Sequence, residues 1–158
     1  NAAIELGDQT TTEPGPVSAG TKIGTSLSDK LSVAGLAHID VPLKASHNPA
    51  FSVAGALSHS GDSAVGLTTN LGLRTEKTDT STLISVYGTI SADISITDKL
   101  GSFVELYTVF PEGPPDVYAD TGLTYLVTNR LQLDVHGGLK IPQENSDFFV
   151  GAGVGWLL

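Results

Sequence analysis

The sequence predicts an all-β protein: an antiparallel, up-and-down transmembrane β-barrel of about ten strands, in one domain spanning residues 1–158. Three observations predict it. Apolar and polar residues alternate with a period of two along most of the chain. Tight polar turns alternate with connections that are longer on average. The polar faces hold many Gly, Ser and Thr, rather than the Lys and Glu that usually coat a soluble sheet.

The strands can be taken in order. Residues 1–16 hold a partial strand near Ile4–Gly7 and a loop, and weaker strands follow at about 17–27, 31–42 and 51–59. Val65, Leu67, Thr69, Leu71 and Leu73 then oppose Gly66, Thr68, Asn70, Gly72 and Arg74. In the next segment Ile84, Val86, Ile90, Ala92 and Ile94 oppose Ser85, Tyr87, Thr89, Ser91 and Asp93. Val104, Leu106, Thr108 and Phe110 oppose Phe103, Glu105, Tyr107 and Val109. Val117 to Val127 continues the pattern, with Tyr118, Asp120, Gly122, Thr124 and Leu126 on the polar side. In 131–141, Leu131, Leu133, Val135, Leu139 and Ile141 oppose Gln132, Asp134, His136, Gly138 and Lys140. The last strand puts Phe148, Val150, Ala152, Val154, Trp156 and Leu158 on one face. Such alternation gives each strand one apolar and one polar face.

The turns Ser28-Asp29-Lys30, Thr97-Asp98-Lys99 and Thr128-Asn129-Arg130 are alike, with an Asp or Asn suited to Asx turns. Ser58–Ser63 takes the fourth place in that series and is longer. Between them lie Asp8–Pro16, Lys44–Pro49, Glu76–Thr80, Pro111–Pro115 and Pro142–Asp147, richer in Pro, Asn and Glu. An up-and-down order gathers the tight turns at one end, as periplasmic turns are gathered in outer-membrane barrels. Phe110 and Phe148 then fall at the loop end and Tyr125 and Trp156 at the turn end, as in an interfacial aromatic girdle.

Composition narrows the function classes. Charged residues make up 16% of the chain, below the roughly 25% of globular domains. The net charge of −9 with no basic cluster excludes a nucleic-acid partner. The chain has no cysteine, hence no disulfide and no thiolate-ligated metal. No run of 18 apolar residues forms a transmembrane helix. Asn1 in place of Met leads us to expect a mature or trimmed chain.

With the apolar faces toward lipid, the polar faces line a lumen. The candidate lining residues along a solute path are Lys22, Asp40, Asn70, Arg74, Asp93, Glu105, Asp120, Asp134, His136 and Lys140. Their excess of carboxylates favours cations in a water-filled passage. The alternative is that these groups pair across the interior and plug it. Inward glycines 20, 24, 66, 72, 122 and 138 favour the open arrangement, since they leave space. Asp134-x-His136 and His38-x-Asp40 each place an acid and an imidazole on one face, but no G-x-S-x-G elbow or H-E-x-x-H accompanies them. No enzyme activity, metal or cofactor is expected, and these histidines are read as structural hydrogen-bonding groups. Gly151-Ala152-Gly153-Val154-Gly155 lacks the following helix of a phosphate cradle.

From about Val17 to Leu158 the chain resembles the transporter-like outer-membrane proteins of the MetA-pathway of phenol degradation family. The resemblance rests on Leu100-Gly101-Ser102-Phe103-Val104-Glu105-Leu106-Tyr107, on the run from Asp120 to Asp134, and on Phe148-Phe149-Val150-Gly151-Ala152-Gly153. Members are usually longer, so the resemblance implies that this chain corresponds to their C-terminal part. It closes either on its own strands or with partner or further strands. The chain also ends in Leu158, where outer-membrane strands often end in an aromatic.

The expected role is passive passage of small solutes across a bacterial outer membrane, hydrophobic or aromatic ones if the family description is followed. The expected partners are membrane lipid, a small solute, and further copies or other outer-membrane subunits. The alternatives are a structural or adhesive barrel acting through its loops or as a subunit of a larger assembly, and a soluble β-sandwich binding module.

Overall fold

The computed structural model describes residues 2–5, 12–13, 15–44, 48–61, 64–77, 81–110, 113–141 and 147–157. They form β1 (Ala2–Glu5), β2 (Thr12–Glu13), β3 (Val17–Ser26), β4 (Leu31–Val41), β5 (Ala50–Ser60), β6 (Val65–Lys77), β7 (Thr82–Ser95), β8 (Leu100–Phe110), β9 (Asp116–Thr128), β10 (Leu131–Ile141) and β11 (Asp147–Trp156). The nine long strands β3–β11 make one curled antiparallel sheet, a half-barrel, each strand pairing with its neighbours in the chain. Of the two short strands, β1 pairs with the loop half of β11 and β2 with β1. The described residues contain no helix.

The register keeps every apolar stripe in phase. Leu106 faces Ile90 on one side and Ala119 on the other, and Val135 lies between Leu123 and Ala152. One slip across a ladder would send a strand's whole apolar set to the polar side, so this phase is strongly selected. A bulge between Leu131 and Gln132 sets Val127 outside the paired register of β9 and β10.

The convex face is apolar and bare. Ile23 is 77% exposed, Val154 71% and Leu71 67%. Among the described residues no large side chain is fully buried, and the buried ones are the small Ala50, Ala56 and Ser91 on the concave side. A soluble β-sandwich puts its apolar faces inward against a second sheet. The described strands form a single sheet, with nothing packed on that face.

At the tight-turn end the connections are 27–30, 61–64, 96–99 and 129–130. The 61–64 connection is no longer than its neighbours, because β5 runs on to Ser60. The turns are also held differently from the sequence expectation. The acceptor is the hydroxyl one residue before the Asp or Asn: Ser28 Oγ accepts the Lys30 N–H at 3.3 Å, and Thr97 Oγ1 accepts Lys99 and Leu100 at 3.2 and 2.9 Å. Thr128 Oγ1 accepts Arg130 and Leu131 at 3.2 and 3.1 Å. These are hydroxyl turns, the weaker relatives of Asx turns. Thr128→Ala should therefore cost about 0.5–1.5 kcal/mol in a urea titration, while Asn129→Ala should cost less.

At the other end β6 and β7 outrun their neighbours. They are 13 and 14 residues long, and the β7–β8 ladder begins only at Val86 and Phe110. The part of β7 that runs past β8, Thr82 to Ser85, pairs with Arg74 to Lys77 of β6, while β5 pairs with β6 as far as Glu76.

Candidate functional site

The concave face gathers the polar sides of β3 to β11, and the register places all ten predicted lining residues on it. They fall into distinct groups. Toward the loop end, the Arg74 guanidinium pairs with Asp40 across β5, and the Ser18 hydroxyl donates to the same carboxylate at 2.6 Å. Lys140 Nζ lies 2.7 Å from Asp116, a partner that the sequence reading missed because it sits at the start of β9. Lys22 stands apart from these pairs, exposed on the edge strand β3.

In the middle of the wall, Glu105 and Asp120 occupy opposite positions of the β8–β9 ladder. Asp134 lies 3.4 Å from His136 Nδ1 on β10. Asn70 donates its amide to the Thr89 hydroxyl at 2.7 Å. Near the turns, Asp93 accepts the Thr68 hydroxyl at 3.2 Å, and the Ser58 and Thr68 oxygens are 3.1 Å apart. These three line a hollow of about 320 Å³ with Ser60 and Ser95. Charge is therefore graded along the wall, with Arg74 and Lys140 in ion pairs at the loop end and Glu105, Asp120 and Asp93, which have no ion-pair partner among the described residues, toward the middle and the turns.

The inward glycines behave unlike the expectation that they leave space. Four of them lie under a ring from the neighbouring strand. A Cβ on Gly20 would meet the His38 ring, on Gly72 the Tyr87 ring at 2.6 Å, on Gly122 the Phe103 ring at 2.6 Å, and on Gly138 the Phe149 ring at 2.6 Å. Each is a directly opposed cross-strand pair. Gly24 meets backbone and Ala34, and Gly66 retains open room, with nothing closer than 3.5 Å. The glycines serve mainly as seats for aromatic side chains of the neighbouring strand, a pairing that also stabilises an otherwise weak strand position.

One of those rings, Tyr87, belongs to a row of tyrosines that the charge-based selection passed over. Tyr87, Tyr107 and Tyr118 stand on three successive strands, with ring centroids 6.2 and 5.6 Å apart. Their signal was present in the alternation itself: three tyrosines in phase with the polar positions of β7, β8 and β9. His136 adds an edge-on contact to Phe149 at 6.1 Å.

Among the described residues no group of three or more His, Cys, Asp or Glu is arranged to hold a metal ion. No curated protein and no solved structure matches the chain. The family model described as "Putative MetA-pathway of phenol degradation" matches residues 1–158. That match spans every strand of the half-barrel, so the chain belongs to the MetA-pathway of phenol degradation family.

Proposed function

We propose that this chain forms the wall of an outer-membrane channel through which small solutes, hydrophobic or aromatic among them, pass down their gradients. The observation that carries this reading is the inversion of the sheet: a bare apolar convex face and a polar, partly charged concave face. Lipid covers the first and water fills the second, as in outer-membrane barrels. The chain acts as a passage rather than as an enzyme, and His136 is a fixed part of its wall.

The test is conductance of the detergent-refolded chain in a planar bilayer under a salt gradient. Discrete cation-selective steps are expected, because Glu105, Asp120 and Asp134 in the middle of the wall and Asp93 near the turns make it predominantly acidic there. Replacing Asp93, Asp120 and Asp134 together by Asn should abolish most of that selectivity. An inserted protein that stays silent would favour the second reading, a structural subunit of a larger assembly. One observation supports that reading: among the described residues, the outer edge of β3 has no strand partner.

A further inference from the structure

We propose that Tyr87, Tyr107 and Tyr118 form a binding station for an uncharged solute with a single aromatic ring, on the concave wall toward its loop end. The inference rests on the reading of that face as the solute path.

The three rings are half-buried on the concave face. Their centroid spacings of 6.2 and 5.6 Å are contact distances, so no ring slips between them and a solute lies across the row. Successive rings are inclined by 56° and 38°, so the row offers neighbouring faces and edges rather than one flat platform. A planar aromatic ring meets such a surface edge-to-face and offset-stacked at once, the arrangements that aromatic pairs prefer. A sugar ring, by contrast, stacks best on a flat open face.

Charge points the same way. The strip is flanked by Asp40–Arg74 on one side and Asp116–Lys140 on the other, and in each pair the cation is already met by a carboxylate. An anionic solute would have to compete with that carboxylate for the cation. A neutral ring needs neither charge, and the phenolic hydroxyls can hydrogen-bond one polar substituent.

The row is also held in place. Tyr87 lies on Gly72 so closely that a Cβ there would come within 2.6 Å of the ring, and Tyr107 directly opposes Tyr118 in the β8–β9 ladder. A fixed row loses little side-chain freedom when a solute arrives.

The experiment uses 4-fluorophenol as the probe, followed by fluorine NMR, with the whole chain refolded in detergent micelles. Wild type should bind it saturably. Tyr107→Leu should weaken binding about tenfold, the loss expected when the central ring of the row no longer meets the solute. Tyr107→Phe should stay within about threefold, since the ring remains. Should Tyr107→Leu fail to refold, Tyr118→Leu carries the same expectation. Equal binding by wild type and the Leu variant overturns the proposal, as does displacement of the probe by glucose or benzoate as effectively as by phenol. Wild type that conducts ions but binds no 4-fluorophenol overturns the station alone. Saturable, Tyr107-dependent binding by a protein silent in bilayers overturns the channel reading and leaves the station standing.

Discussion

Leu106→Arg is expected to destabilise the vesicle-inserted protein by about 2–4 kcal/mol, the penalty for a cation at mid-depth on the lipid face of a transmembrane barrel. Leu106 stands near the centre of β8, on the convex side, between Ile90 and Ala119. It is 49% exposed and supports no packed core. In a soluble sheet an Arg at so open a position would change stability by less than about 0.5 kcal/mol. The two environments therefore predict outcomes several-fold apart for one substitution. Urea titration of the protein in vesicles, followed by Trp156 fluorescence, measures the difference. A change under about 0.5 kcal/mol would show that this face does not meet hydrocarbon.

The second large effect is expected at Gly138. An Ala there would place its Cβ 2.5 Å from the Ala119 carbonyl oxygen and 2.6 Å from the Phe149 ring. The ring could swing away, but the carbonyl belongs to the β9 backbone and cannot move without straining the ladder. Overpacking of this kind costs about 1–3 kcal/mol. Gly35 and Gly55 provide the control, because they oppose each other on the convex face with nothing within 4 Å of an added Cβ. Gly35→Ala should be neutral or stabilise by up to about 1 kcal/mol, through the smaller entropy of the unfolded chain. If Gly138→Ala and Gly35→Ala behaved alike, the seating of Phe149 on Gly138 would not describe the folded protein.

The nine long strands were legible because period-two alternation is the only pattern that keeps one face apolar across so many ladders. Boundaries slipped where polarity could not mark them. Strand β6 was expected to end at Arg74 but runs to Lys77, since hydrogen bonding to β7 continues past the last apolar residue. The turns were found through Asp29, Asp98 and Asn129, yet their geometry uses Ser28, Thr97 and Thr128. A turn-forming composition does not say which side chain closes the bond. In the candidate site, alternation put each charged residue on the concave face, but pairing was out of reach. Asp40 and Arg74 are separated by 34 residues and meet only because β5 sets β4 and β6 in one register. The tyrosine row was passed over for a different reason: aromatics on a polar face read singly as fillers, and their adjacency appears only once three strands are aligned.

The odd number of long strands has a directional consequence. Eight antiparallel ladders separate β3 from β11, so the two run the same way across the sheet. Joining them directly would create a parallel seam. A ring that is antiparallel throughout must place an odd number of further strands between them, as the even strand totals of bacterial barrels require. Strand β1 supplies one such step beside β11, and β2 reverses the direction again. The same parity governs symmetric assembly. Two copies related by a two-fold axis along the membrane normal would present their β3 edges in parallel. Such a pair could not be sewn edge to edge by antiparallel hydrogen bonds, whatever the affinity between the copies. The strand that completes the wall must descend where β3 rises.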